Sequence, residues 1–178
     1  MSAPQAPSAQ GSPFWRFSLH FYRQPKVAET CIALQEEAGV DVNLLLFLLW
    51  QATRKRALTT PDVAEIERRV GAWRDMTVIP LRSLRRALKA PPPLIAGTSA
   101  ELFRTRIKAV ELEAERLQQE AMYELANAGT WGQGAPSLAE AARGNIAAYE
   151  EMGGKAFPKP AIETLLAALP ASGHTTED

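Results

Sequence analysis

Seven consecutive apolar residues, Leu44-Leu45-Leu46-Phe47-Leu48-Leu49-Trp50, limit what this chain can fold into more than anything else in it. A helix through them is apolar on every side, so other elements have to enclose it. A buried strand could carry the same run. Leucine, however, outweighs β-branched residues here, Asp41 is a good N-cap just upstream, and Arg54, Lys55 and Arg56 suit a helix C-terminus. Ahead of the run, Val27, Cys31, Leu34 and Ala38 fall on one helical stripe, and Gly39 can take the left-handed position that ends a helix. Lys26 to Arg56 therefore reads as a helical hairpin whose second arm is the core rod.

The rest of the chain supplies candidates to surround that rod. Ser12-Pro13 opens an aromatic-rich helix bearing Phe14, Trp15, Phe17, Leu19, Phe21 and Tyr22, and Pro25 can start the next one. Thr60-Pro61 opens a helix with Val63, Ile66, Val70 and Trp73 on one stripe, with a break expected at Asp75 to Thr77. Leu81, Leu84 and Leu88 mark a short amphipathic helix that ends before Pro91-Pro92-Pro93.

Thr98 and Glu101 form a capping box pattern at the head of the longest periodic segment, which runs to about Ala128. There Phe103, Ile107, Val110, Ala114, Leu117, Ala121, Leu125 and Ala128 step by four and three, a near-heptad seam with charged flanks that could brace the domain or pair with a second copy. Gly129 to Pro136 reads as a loop with Trp131 exposed. Ser137 and Glu140 then head a helix bearing Leu138, Ala142, Ile146 and Tyr149, and Ile162, Leu165, Leu166 and Leu169 suggest a last short one.

The fold class expected is all-α: a single-domain bundle of about seven helices around a buried central helix. The expected divisions are a disordered segment over 1–11, a helical core over 12–128, a peripheral C-terminal helical addition packed on or beside that core over 129–170, and a disordered tail over 171–178. Lys plus Arg and Asp plus Glu number 20 each, so no whole-molecule field steers the chain to nucleic acid or anionic lipid. One cysteine, no secretory pattern at the N-terminus and no apolar run near the ~20 residues that span a bilayer together suggest a cytoplasmic protein without a membrane span.

The string Gly39-Val40-Asp41-Val42-Asn43-Leu44-Leu45-Leu46 ending at Trp50 joins a turn, a cap and an all-apolar helix. With Cys31 to Gln35 before it and Phe14-Trp15 near the start, it resembles a proteobacterial family of domains of unknown function, number twenty-three ninety in that series. Arg104, Lys108, Glu111, Leu112, Glu115 and Arg116 fit the same resemblance, which covers about Phe14 to Leu125. It implies a bacterial cytoplasmic protein and brings no activity, cofactor or catalytic residue with it.

Three clusters could carry chemistry. Asp41 and Asn43 sit at the mouth of the apolar rod with Glu36 just before the turn, so they could form a polar pocket. Capping explains Asp41 without a ligand, whereas the Asn43 amide needs buried partners. Arg82, Arg85, Arg86 and Lys89 make one basic ridge, either a docking face or a solvated one. Cys31 lies on an apolar stripe as a small hydrophobe, and only His20 could serve it as a base, His174 being in the tail. Zinc needs more Cys and His than the chain has, and there is no P-loop, dinucleotide fingerprint or nucleophile elbow. No metal, cofactor or catalytic set is expected.

The reading preferred on these grounds is a non-catalytic interaction or regulatory module, with a protein partner or self-association through the long helix and the basic ridge. The alternative is an enzyme or small-molecule carrier with an apolar helical pocket near Asp41 and Asn43. Weaker still is nucleic-acid or anionic-lipid binding through the ridge, which lacks interleaved aromatics for base stacking.

Overall fold

From Asn43 to Ala52 every residue is buried in the structure, a computed structural model that describes residues 11–129 and 131–170. The disordered leader and tail expected from sequence lie outside those residues, Gly11 excepted. The elements are α1 (Pro13–Tyr22), α2 (Val27–Ala38), α3 (Val42–Thr53), α4 (Thr60–Trp73), α5 (Ile79–Ala87), α6 (Gly97–Ala128), α7 (Leu138–Gly153) and α8 (Lys159–Ala167). A π turn over Arg74–Val78 fuses α4 and α5 into one continuous rod, so the described residues form seven rods in an all-α bundle around α3.

Leu44, Leu45, Phe47, Leu48 and Leu49 have no exposure at all, and burying each such side chain stabilises the fold by roughly 2 kcal/mol. Around them Phe14 packs edge-on against Phe47 and tilted against Trp50, while Val63, Ile66 and Val70 of α4 seal another side. Among the described helices none is long and apolar enough to cross a membrane.

The C-terminal pair is less peripheral than expected. α7 packs against α3 more extensively than any other element, through Ala141, Ala142, Ile146 and Tyr149, while α8 covers α2 with Leu165. Small residues account for the close contact: alanines let α7 approach without giving it a strongly apolar stripe. Asn145, also on α7, is wholly buried and ties that helix to two other backbone segments, α3 and the stretch over 56–58. Its Nδ2 donates to Leu48 O and Arg56 O, and its Oδ1 accepts from Leu58 N at 2.6 Å.

Several local expectations shift. α2 starts at Val27 behind a left-handed Lys26, leaving Pro25 in the preceding turn. α4 is capped by Thr59, one residue earlier than expected, with Asp62 completing the box. α6 begins at Gly97 without a side-chain cap, because Glu101 pairs with Arg104. No strand was expected, yet β1 (Arg56–Ala57) and β2 (Gln133–Gly134) form a two-residue antiparallel ladder. Gly132 makes it possible: its φ is +64°, and a Cβ there would lie 2.4 Å from Ala57 O. Trp131, expected exposed, is half-buried, donating its Nε1–H to Leu125 O while its own carbonyl accepts from Arg56.

Candidate functional site

The polar start of α3 is assembled from four other segments. Gly39, at φ +70°, ends α2 and lets the chain reverse, and Asp41 then caps α3 by accepting on Oδ1 from Asn43 N (2.8 Å) and Leu44 N (3.3 Å). Oδ2 is free for tertiary partners and accepts from Arg74 Nη1 at 3.1 Å and Gln118 Nε2 at 3.0 Å. The Asp41 backbone N–H donates to Tyr149 Oη at 2.9 Å.

Arg74 stands in the π turn that replaces the expected break, a geometry that often re-aims side chains at functional sites. Its guanidinium also meets Glu67 and Asp75. Burial alone would lower its pKa, but Glu67, Asp41 and Asp75 together more than offset that, and the net shift is upward. Burial, reinforced by Asp41, also pushes up the Tyr149 phenol.

Inward of Asp41 lies a chain of amides. Asn43 donates to Gln118 Oε1 at 3.2 Å and accepts from Gln119 Nε2 at 2.8 Å, so its two ends are both matched. These residues form the floor of a cleft of about 770 Å³. Trp15, Leu19 and Tyr22 of α1, Leu46 of α3 and Leu112 of α6 wall it, with Arg82 and Glu115 on the far side. Two of the lining residues, Gln119 and Ser18, each only 3% exposed, carry a buried polar atom with no hydrogen-bond partner among the described residues: Gln119 Oε1 and Ser18 Oγ.

Glu115 also belongs to a carboxylate and guanidinium cluster, of which it and Arg82 line the cleft. Glu111, buried on α6, accepts from both Arg82 and Arg85, and Arg82 also donates to Glu115 at 2.7 Å. Burial would raise Glu111, yet Arg85 and Arg82 pull it below the usual carboxylate range. For Glu115 burial wins over Arg82, with help from Glu111 and Asp41, and its pKa is raised. Tyr22 nearby is pushed up to about 12, chiefly by burial.

Of the residues singled out from sequence, Asp41 and Asn43 come together in the cleft, while Glu36 is exposed outside it and pairs with Arg86 at 3.0 Å. The basic ridge is divided: Arg82 and Arg85 turn onto α6 carboxylates, and Arg86 and Lys89 face solvent. Cys31 has no exposure, its thiol pushed up to about 12 by burial, and His20 is exposed and bonded to Gln24. No group of three or more His, Cys, Asp or Glu among the described residues is arranged to hold a metal.

The polar floor, Ser18, Arg74, Gln118 and Gln119, was missed. One signal pointed to part of it: Glu111 and Gln118 lie seven apart on the face that also holds Ala114 and Met122.

Compared with known families, residues 13–122 match the family described as a protein of unknown function, DUF2390. The chain belongs to that family. The match runs from the first residue of α1 into α6, covering Ser18, Asp41, Asn43, Arg74, Gln118 and Gln119, whereas Asn145 and Tyr149 lie beyond it. Comparison with curated proteins gave no match, and comparison with solved structures gave none.

Proposed function

We propose that the protein binds a small neutral molecule in the cleft at the start of α3, with Gln119 Oε1 accepting a hydrogen bond from it. The observation that carries this reading is a pair of buried atoms without a hydrogen-bond partner among the described residues, Gln119 Oε1 and Ser18 Oγ, both belonging to residues that line one cleft. An unmatched buried acceptor costs about 1–3 kcal/mol, and a ligand donor would remove that cost. A volume of about 770 Å³ lies within the ~300–1,000 Å³ typical of small-molecule sites.

Charge argues for neutrality. Asp41 is matched by Arg74, and Arg82 by Glu111 and Glu115, so an ionic ligand would meet no unpaired opposite charge at the floor. Apolar walls of Trp15, Leu19, Leu46 and Leu112 suit a ring or short chain carrying hydroxyl or amide N–H groups.

A panel of neutral polyols, nucleosides and lactams, screened by thermal shift, tests this. A compound that raises the melting temperature of the native chain, with the shift lost in Gln119→Met and reduced in Ser18→Ala, supports the reading. If no compound stabilises the protein, or a hit acts equally on Gln119→Met, the reading fails.

A docking or regulatory role is a second reading. The observation favouring it is the apolar surface left open on α6, where Leu102, Phe103, Val110, Leu112 and Leu117 are all 45% exposed or more.

A further inference from the structure

Phe103, Val110 and Leu117 recur every seventh residue of α6 and are 49%, 52% and 45% exposed. Alternating with Ile107 and Ala121, and with Ala114, which this chain buries itself, they repeat the spacing of a coiled-coil seam whose exposed half a second helix can fill. Among the described residues nothing covers those three side chains fully. Two further apolar features lie along the same line. Leu94 and Ile95, just ahead of α6, are 93% and 50% exposed, and an apolar groove between α4 and α6 is lined by Val70, Trp73, Leu117, Ala121 and Leu125.

We infer that a second copy of this chain docks on α6, antiparallel, about a twofold axis at Val110. Charge selects the direction. In a parallel pair, Arg106 would reach for position 111 and Glu113 for position 118 of the other copy, but Glu111 and Gln118 are buried within their own chain. In an antiparallel pair centred on Val110, Arg106 of each copy lies beside Glu113 of the other, twice over. Arg106 is exposed and Glu113 is engaged only by its own neighbour Arg116, so both can turn to a partner.

The same register accounts for the rest of the apolar surface. Phe103 meets Leu117 of the other copy, and position 95 falls opposite position 125. Leu94 and Ile95 of each copy thereby arrive at the groove lined by Ala121 and Leu125 of the other. The contact is isologous: one seam at the centre and a plug at either end. A surface so small gives a reversible dimer, with dissociation in the ~µM to mM range. It uses neither Ser18, Asn43 nor Gln119 and stands apart from the cleft.

Sedimentation velocity of the full chain over a concentration series tests the proposal. The expected result is a monomer–dimer equilibrium that Val110→Glu and Leu94→Asp each abolish, with far-UV circular dichroism and melting temperature unchanged because both sites are exposed. Arg106→Glu and Glu113→Arg should each weaken the dimer by roughly tenfold, and the double variant should restore it. A chain monomeric at every concentration, a dimer that survives Val110→Glu, or a double variant no better than the singles would overturn it.

Discussion

α3 and α6 meet at the floor of the cleft, but they are built on opposite plans. α3 buries ten consecutive residues, all but Asn43 and Gln51 of them apolar. α6 is 32 residues long and buries Ala100, Glu111, Ala114, Gln118, Gln119 and Met122, half of them polar. The first is held by exclusion of water and the second by matched hydrogen bonds. Where they touch, an amide of α3 is satisfied by two amides of α6. A buried polar group is tolerated only when partnered, and the two atoms that are not partnered stand out for that reason.

If α3 is held by packing, truncating it should cost the most. Leu48→Ala is expected to destabilise the protein by about 3 kcal/mol, read from the midpoint of chemical denaturation. Next comes Asn145→Ala, which leaves Leu58 N and two carbonyls without their side-chain partner and should cost about 2–3 kcal/mol. A value near zero there would mean the polar interior contributes less than this comparison requires.

On the α6 side the carboxylates should pull in opposite directions with pH. Glu111 has a lowered folded pKa, so the stability it contributes is present above its unfolded value and lost as pH falls through the folded one. Glu115 has a raised folded pKa, so stability is lost as pH rises from its ordinary value of 4.5 through the folded one. Between pH 4 and 7, the melting temperature of Glu115→Gln should therefore fall less, or rise more, with increasing pH than that of the native chain.

The smallest effect sharpens the contrast most. Ser18→Ala removes a hydroxyl with no partner, so stability should change by less than about 0.5 kcal/mol or rise. A loss of about 2 kcal/mol would mean that Ser18 is satisfied within the fold and is not a ligand group.

The plan of α3 could be read directly, because seven apolar residues in a row admit few alternatives and Asp41 stands where a cap belongs. The same reasoning brought Asp41 and Asn43 to one site. It could not reach Gln118 and Gln119, which bond to Asp41 and Asn43 across more than 70 residues of chain, nor Arg74, delivered by a π turn that fuses two helices expected to be separate. Glu36 failed for a local reason: it points outward on α2 and finds Arg86. The basic ridge was visible as a pattern, but the buried Glu111 that claims Arg82 and Arg85 was hidden among the many charged residues flanking the seam of α6.

The central claim is that the amide floor of the cleft receives a ligand. Side-chain amide resonances of Asn43, Gln118 and Gln119, followed by NMR while neutral polyols, nucleosides and lactams are added, test it most directly. The account predicts that at least one compound shifts the Gln119 side-chain amide more than surface amides, saturably, with no such response in Gln119→Met. Binding that moves only other resonances, or a Gln119 amide that stays still across the whole panel, would contradict it.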